Sequence, residues 1–375
     1  MFYKNARIFT PDRGFCLGSF EVTKGVFGAV LPQEPPKRAI DLQGATVIPG
    51  LVDVHIHGAM GADFSDADPA GLRRMAAYLA KEGVTAFAPT SMTLPYADLE
   101  KAFAVGQAFH DTPPKGCARL VGIHMEGPYF SEKKKGAQNG KYLHLPDLAG
   151  FQKLYDSCGG LIRIVDIAPE LPGAADFTRQ AQRLCTVSVA HTDADYECTR
   201  QVFAAGASHL THLFNAMPGF HHRQPGVIGA ACENPMVRAE LICDGLHVHP
   251  SAVRLAFAAF GSKRIVLVSD ALRCCGMPDG EYSLGGQNVV LSQGIARLSD
   301  GTIAGSATNL FECMRKAIGM GIPEADAVRA ATYNPACALG VGGQLGRITP
   351  GARADFIICR PDYTGKRVFL AGKEI

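Results

Sequence analysis

Histidines and carboxylates in this chain sit where short apolar runs end. Asp53, His55 and His57 alternate with Val54 and Ile56. On an extended strand, residues two apart share a face, so two imidazoles at this spacing can hold one metal ion. His124 and Glu126 repeat the alternation, and His191, His212 and Asp270 each close a later β-rich run. By the same alternation His209 falls opposite His212 and reads as packing outside the barrel. Imidazole with carboxylate suits Zn²⁺, Fe²⁺, Mn²⁺ or Co²⁺ better than Mg²⁺ or Ca²⁺. A metal with an open coordination position lowers the pKa of a bound water to about 7. A carboxylate beside it, Asp270, can take that water's proton and return it to a leaving amine. The chemistry indicated is hydrolysis of a carbon–nitrogen bond.

Such residues are useful only if the fold gathers them. Eight β-rich runs occur at 45–55, 84–91, 119–126, 161–167, 186–191, 207–212, 237–243 and 265–270. Helix-period segments at 67–82, 95–110, 146–157, 173–184, 194–205 and 250–260 separate most of them; the segment after the sixth run is rich in Pro and Gly and reads as a long loop with a short helix. The alternation predicts an α/β fold, a (β/α)8 TIM barrel, with a doubly wound sheet as the alternative. In a barrel, His55, His57, Glu126, His191, His212 and Asp270 would converge on the mouth at the C-terminal strand ends. Residues 1–48 and 344–375 hold short strands broken by turns, among them Gly25 and the segment 32–36. They are expected to combine into one small β-sandwich domain beside a barrel spanning 49–343. A further β-rich stretch at 280–303, with turns at Gly285-Gly286 and Asp300-Gly301, reads as an insertion near the barrel mouth.

Composition narrows the partners. The chain has 375 residues, 47% of them hydrophobic, and a formal net charge of +2. That balance points to neither a nucleic-acid nor a membrane-surface binder. The start of the chain has no apolar leader core, and no apolar run reaches transmembrane length. The twelve cysteines include no C-x-x-C pair, which points to free thiols in a reducing, cytoplasmic setting.

The motifs resemble the amidohydrolase superfamily, and within it the N-acetylglucosamine-6-phosphate deacetylases. The resemblance spans nearly the whole chain: Pro49-Gly50-Leu51-Val52-Asp53-Val54-His55-Ile56-His57-Gly58, His124-Met125-Glu126-Gly127-Pro128, Lys134-Lys135-Gly136-Ala137, Thr211-His212-Leu213-Phe214-Asn215-Ala216-Met217, His221-His222-Arg223-Gln224-Pro225-Gly226, Asp244-Gly245-Leu246-His247, Ser269-Asp270-Ala271 and Gly351-Ala352-Arg353-Ala354-Asp355. It implies one or two divalent transition metals per subunit, Zn²⁺ or Fe²⁺ foremost. Glu126, His191 and His212 would hold the first; His55 and His57 would hold a second, with Glu126 bridging. It implies Asp270 as general base and acid. It implies substrate contacts from His247, Asn215 and Ala216, a pocket lined by Ala137 and by Ile303, Ala304, Gly305 and Ser306, and a homodimer in which Arg223 reaches the sugar phosphate of the neighbouring subunit.

One departure stands out. Where some relatives carry a histidine that contacts a sugar hydroxyl, this chain has Gln138. Glutamine also hydrogen-bonds hydroxyls, so N-acetylgalactosamine 6-phosphate stands as an alternative substrate. Of the remaining polar residues, Asp53 reads as structural, His124 as barrel filling, and Asp244 as a cap for the loop that carries His247.

Overall fold

A computed structural model describes residues 1–31 and 38–375; the turn expected at 32–36 lies outside them. Parallel strands Leu51–Ile56, Val84–Ser91, Ile123–Met125, Ile162–Ile167, Thr186–Val189, His209–Leu210, Arg238–Ile242 and Ile265–Val268 form one sheet, and a short segment, Arg119–Leu120, extends the third position. The sheet closes on itself. Ile56 bridges Ala271 in parallel, Asp270 N–H donates to the His55 carbonyl (2.9 Å), and His57 N–H donates to the Ala271 carbonyl (2.9 Å). The expected (β/α)8 barrel is therefore present, and the doubly wound alternative falls.

Two apolar layers build the barrel. Val52, Val54, Ala86, Ala88, Val266 and Val268 fill the lumen, which Ala336 and Leu339 plug from one end. Phe87, Val165, Leu241 and Leu267 face outward against the helices. The helix Pro69–Lys81 shows why these segments are helical. Asp68 accepts from the N–H groups of Ala70 and Gly71, Pro69 supplies a preset first turn, and Leu72, Met75, Ala76 and Leu79 form the buried stripe. The helix Gly226–Glu233 is the short one expected after the sixth run, and Leu310–Gly319, Glu324–Ala331 and Tyr333–Ala338 add to those expected from periodicity.

The termini build a separate sheet in the spatial order Lys373–Glu374, Arg367–Leu370, Phe356–Cys359, Thr46–Pro49, Phe2–Thr10, Gly14–Thr23 and Val26–Val30, with Ile40–Asp41 paired to Phe2–Thr10. Its core is aromatic: Phe356 stacks on Phe369 with centroids 4.4 Å apart, and Tyr3 on Phe20 at 4.8 Å. The run 45–55, which reads as one strand, is two. Thr46–Pro49 belongs to the terminal sheet and Leu51–Ile56 to the barrel, and the chain changes sheet at Gly50. A Cβ there would lie 2.2 Å from Thr85 Oγ1, so only glycine fits.

The insertion is a four-stranded antiparallel sheet: Gly280–Leu284, Gln287–Ser292, Ile295–Leu298 and Ile303–Ser306. Its last strand returns to the barrel rim, where Ser306 N–H donates to the Asp270 carbonyl (2.8 Å) and Leu272 N–H to the Ser306 carbonyl (2.9 Å).

Asp53 latches the seam of the barrel. Its carboxylate accepts from Ser269 Oγ (2.6 Å), Ser269 N–H (3.3 Å) and His55 N–H (3.4 Å), entirely out of solvent. Leaving a buried acceptor short of a partner costs about 1–3 kcal/mol. Ser269→Ala is therefore expected to lower unfolding stability by about that amount in urea titration, a loss that a surface serine would not give.

Candidate metal centre and active site

The lumen residues should alternate along each strand, yet several candidate ligands break that rule. Val52 and Val54 both face the lumen, which by strict alternation would send His55 outward. A register shift between Asp53 and Ile56 turns it back in. His209 and Thr211 point inward: His209 Nε2 donates to Glu240 Oε1 (3.1 Å), and Thr211 Oγ1 donates to Asp166 Oδ1 (2.9 Å). His212 would then point out. It does not, because its backbone is left-handed, with φ 32°. His191 (φ 45°) and Asp270 (φ 48°) use the same device at the ends of the fifth and eighth strands. The expectation that His209 packs outside the barrel is corrected by the same geometry: His209 and His212 both face in.

These turns gather the six strand-end residues. His191 Nδ1–H donates to the Lys134 carbonyl (2.9 Å), so its Nε2 carries a lone pair. That lone pair faces Glu126 Oε1 at 3.1 Å and His212 Nε2 at 3.1 Å, while His212 Nε2 lies 3.2 Å from Glu126 Oε1. Two imidazole nitrogens and a carboxylate oxygen thus converge on one point, the arrangement that a shared cation satisfies. Beside them, His57 Nε2 lies 3.2 Å from Glu126 Oε2. His55 Nε2 lies 3.6 Å from Glu126 Oε1 and 3.5 Å from Asp270 Oδ1, fully buried and without a hydrogen-bond partner among the described residues. Glu126 thus lies between two donor sets, His191 with His212 and His55 with His57, its Oε1 facing His191, His212 and His55 and its Oε2 facing His57. The donor set fits a divalent metal at the first and has room for another at the second.

The electrostatics follow from burial against facing charge. Burial opposes ionisation of Glu126, but His55, His191, His212 and His57 outweigh it and hold the carboxyl well below its ordinary range. Burial likewise opposes ionisation of Asp270, and His55 and His57 again win. Burial disfavours charge on His212, yet its hydrogen bond to Glu126 raises it to about 9.

A cavity of about 320 Å³ opens above this centre, lined by His57, Glu126, Ala137, Gln138, His191, His212, Asn215, Ala216, His247, Asp270, Ile303, Ala304 and Gly305. Gly305 lies at φ +143°, and a Cβ there would sit 3.1 Å from the Asp270 carbonyl oxygen. His247 Nδ1–H donates to Asp244 Oδ2 (2.6 Å), and Asp244 Oδ1 accepts the N–H groups of Leu246 (2.8 Å) and His247 (2.9 Å). Asp244 thus fixes the loop and leaves His247 Nε2 to the cavity. Gln138 is half committed: its oxygen accepts from Thr93 N–H (2.8 Å) and its amide donates to Glu126 Oε2 (2.6 Å).

One expected cavity residue lies elsewhere, and Arg223, expected to act on a neighbouring subunit, lies outside the cavity of its own chain. Ser306 is buried, and its hydroxyl donates to the Ser269 carbonyl (2.6 Å) rather than lining the cavity. Arg223 is exposed on the loop after the sixth strand, donating to His222 Nε2 (2.7 Å), outside the cavity of its own chain. Other residues were given no site role in the sequence. Lys133 and Lys134 border the cavity. His124 is hydrogen-bonded rather than mere filling, to the Val54 carbonyl and Asp166 Oδ1 (both 3.0 Å). Glu240, in the middle of the seventh strand, accepts from His55 Nδ1–H at 2.8 Å. The available signal was a carboxylate inside an otherwise apolar run, Ala239-Glu240-Leu241-Ile242.

The amidohydrolase family model matches residues 46–375. The chain belongs to the amidohydrolase family. It is 38% identical to an N-acetylglucosamine-6-phosphate deacetylase of Bacillus subtilis (strain 168) over 336 residues, covering 88% of this chain and 85% of that one. It is 34% identical to an N-acetylgalactosamine-6-phosphate deacetylase of Escherichia coli O157:H7 over 370 residues, covering 98% and 97%. Among solved structures, this amidohydrolase is similar to a mutant N-acetyl-D-glucosamine-6-phosphate deacetylase of Mycobacterium smegmatis in complex with N-acetyl-D-glucosamine-6-phosphate. The TM-score is 0.94 and the identity 33%, over 100% of this chain and 98% of that one. The deacetylase resemblance expected from the motifs is thereby met in relatives that align over most of their length.

Metal loading must displace protons from imidazoles that face carboxylates. Metal uptake by the metal-free amidohydrolase is therefore expected to release protons, and its apparent affinity to rise with pH below about 9, where His212 holds its proton. Calorimetry in buffers of differing ionisation enthalpy measures this; buffer-independent heats would contradict it.

Proposed function

We propose that this amidohydrolase removes the acetyl group of N-acetyl-D-glucosamine 6-phosphate, giving D-glucosamine 6-phosphate and acetate. The observation that carries the reading is the meeting of Glu126, His191, His212 and Asp270 on the floor of one cavity whose walls include His247 and Asn215. Glu126, His191 and His212 would hold a divalent transition metal, Zn²⁺ or Fe²⁺ foremost, and His55 and His57 a second. When bound, the metal supplies Lewis acidity toward the acetyl carbonyl and acidifies the attacking water.

This chain's residues do the rest. His247 and Asn215 orient the sugar, and Ala137, Ile303, Ala304 and Gly305 shape the wall around it. Asp270 accepts the water's proton as the new C–O bond forms, then delivers it to the nitrogen as the amide C–N bond breaks. Arg223, exposed and outside its own chain's cavity, would fork onto the 6-phosphate of a partner subunit in a homodimer. No helix among the described residues is long and apolar enough to cross a membrane. The twelve free thiols suit a cytoplasmic setting.

A second reading keeps the chemistry and changes the epimer. Gln138 stands where some deacetylases carry histidine, and the galactosamine relative aligns over nearly its whole length, so N-acetyl-D-galactosamine 6-phosphate is the competing substrate. Steady-state kinetics on the two epimeric 6-phosphates and their unphosphorylated sugars, with metal content measured, decides between them. No acetate released from either phosphate would end the deacetylase reading.

Asp270→Asn is expected to keep metal at its first site and to lose about 10²–10⁴-fold in kcat. Near-wild-type kcat in a metal-replete sample would refute the acid–base role. Arg223→Ala is expected to raise KM for the 6-phosphate with little effect on unphosphorylated sugar, and mixed dimers with an Asp270→Asn subunit should regain part of the lost activity.

A further inference from the structure

The metal-facing nitrogen of His55 is available only if its other nitrogen holds the ring proton, and one buried group enforces that. Glu240 is fully buried on the seventh strand. Its Oε2 accepts from His55 Nδ1–H at 2.8 Å and from the His212 backbone N–H at 3.2 Å, and its Oε1 accepts from His209 Nε2–H at 3.1 Å. A carboxylate donates nothing, so Nδ1 of His55 must be the protonated nitrogen and Nε2 must carry the lone pair. That Nε2 is buried, lacks a hydrogen-bond partner among the described residues, and looks between Glu126 and Asp270. Glu240 also ties the two donor sets together, since it holds the ring of one and the backbone of His212 in the other. His209 serves as the brace: donating to Oε1, it keeps the second oxygen of Glu240 from rotating away from His55.

We propose that Glu240 is the positioning residue for the second metal, fixing the tautomer and ring orientation of His55, with His209 holding Glu240 in place. The inference rests on the deacetylase reading for the meaning of the centre, but it concerns metal affinity rather than substrate. A carboxylate hydrogen-bonded behind a metal-ligating imidazole sets ligand orientation and basicity, and losing it typically weakens metal binding by about 10–100-fold. The first site, formed by Glu126, His191 and His212, meets Glu240 only at the His212 backbone N–H, and the Lys134 carbonyl sets the tautomer of His191.

Glu240→Gln tests this, because one amide oxygen cannot serve both His55 and His209. Metal-free protein titrated with Zn²⁺ is followed by calorimetry and by elemental analysis after gel filtration. Wild type is expected to bind two ions per subunit. The variant should bind the second ion about 10-fold or more weakly and lose less at the first, where only the backbone N–H of His212 touches Glu240. A purely structural role would lower the melting temperature and leave the second affinity unchanged, which overturns the proposal. So would a wild type that binds only one ion. Should the variant fail to fold, ¹⁵N-histidine spectra of zinc-loaded wild type carry the test. Protonated Nδ1 at His55 supports the assignment and protonated Nε2 overturns it. None of these readouts uses acetate release, so failure of the deacetylase reading in the kinetic assay is a separate result.

Discussion

Acceptors crowd the mouth of this barrel more densely than protons can serve. Glu126 Oε1 meets the Nε2 atoms of His191 and His212 within 3.2 Å, and His55, His57 and Asp270 close in from the other side. Every one of these groups is shielded from bulk water. Such a cluster is costly unless a cation occupies its centre. Much of the surrounding structure manages that cost. The Lys134 carbonyl and Glu240 take the outward protons of His191 and His55, Gln138 donates to Glu126, and Asp53 locks the strand that carries His55 to the strand that ends in Asp270.

The same constraint explains the backbone. Three candidate site positions lie in the left-handed region, at His191, His212 and Asp270. Each such non-glycine residue costs on the order of 1–3 kcal/mol and persists only where its surroundings hold it. Here the holding groups are visible: Asp270 is pinned by main-chain bonds to His55 and Ser306, and His212 by Glu240. The strain re-aims strand-end side chains into the mouth, where alternation alone would have placed some of them against the helices.

Around this centre the fold separates support from specificity. The terminal sheet and the lumen plug are apolar and aromatic and lie away from the chemistry. Loops and the inserted sheet supply the cavity wall, so the wall residues can vary without touching the barrel. Gln138 joins the two parts, facing the cavity while hydrogen-bonded to Glu126.

Local pattern carried much of this into the sequence. Strand and helix periods define an eight-unit barrel because core-facing residues must recur at two and at 3.6. Motif runs around His55, Glu126, His212 and Asp270 mark the centre because few residue types bind metals. Other features arise only when distant strands meet. Glu240 read as one carboxylate in an apolar strand until His55, remote in the chain, came within 2.8 Å of it. His209 was assigned to the wrong face, because a period of two cannot foresee a left-handed residue three positions on. Ser306 was placed at the cavity by the motif resemblance, yet its hydroxyl turns to the Ser269 carbonyl at the end of the eighth strand. Side-chain type and spacing are written in the chain; the direction a side chain takes at a strand end is set by partners that only tertiary folding brings near.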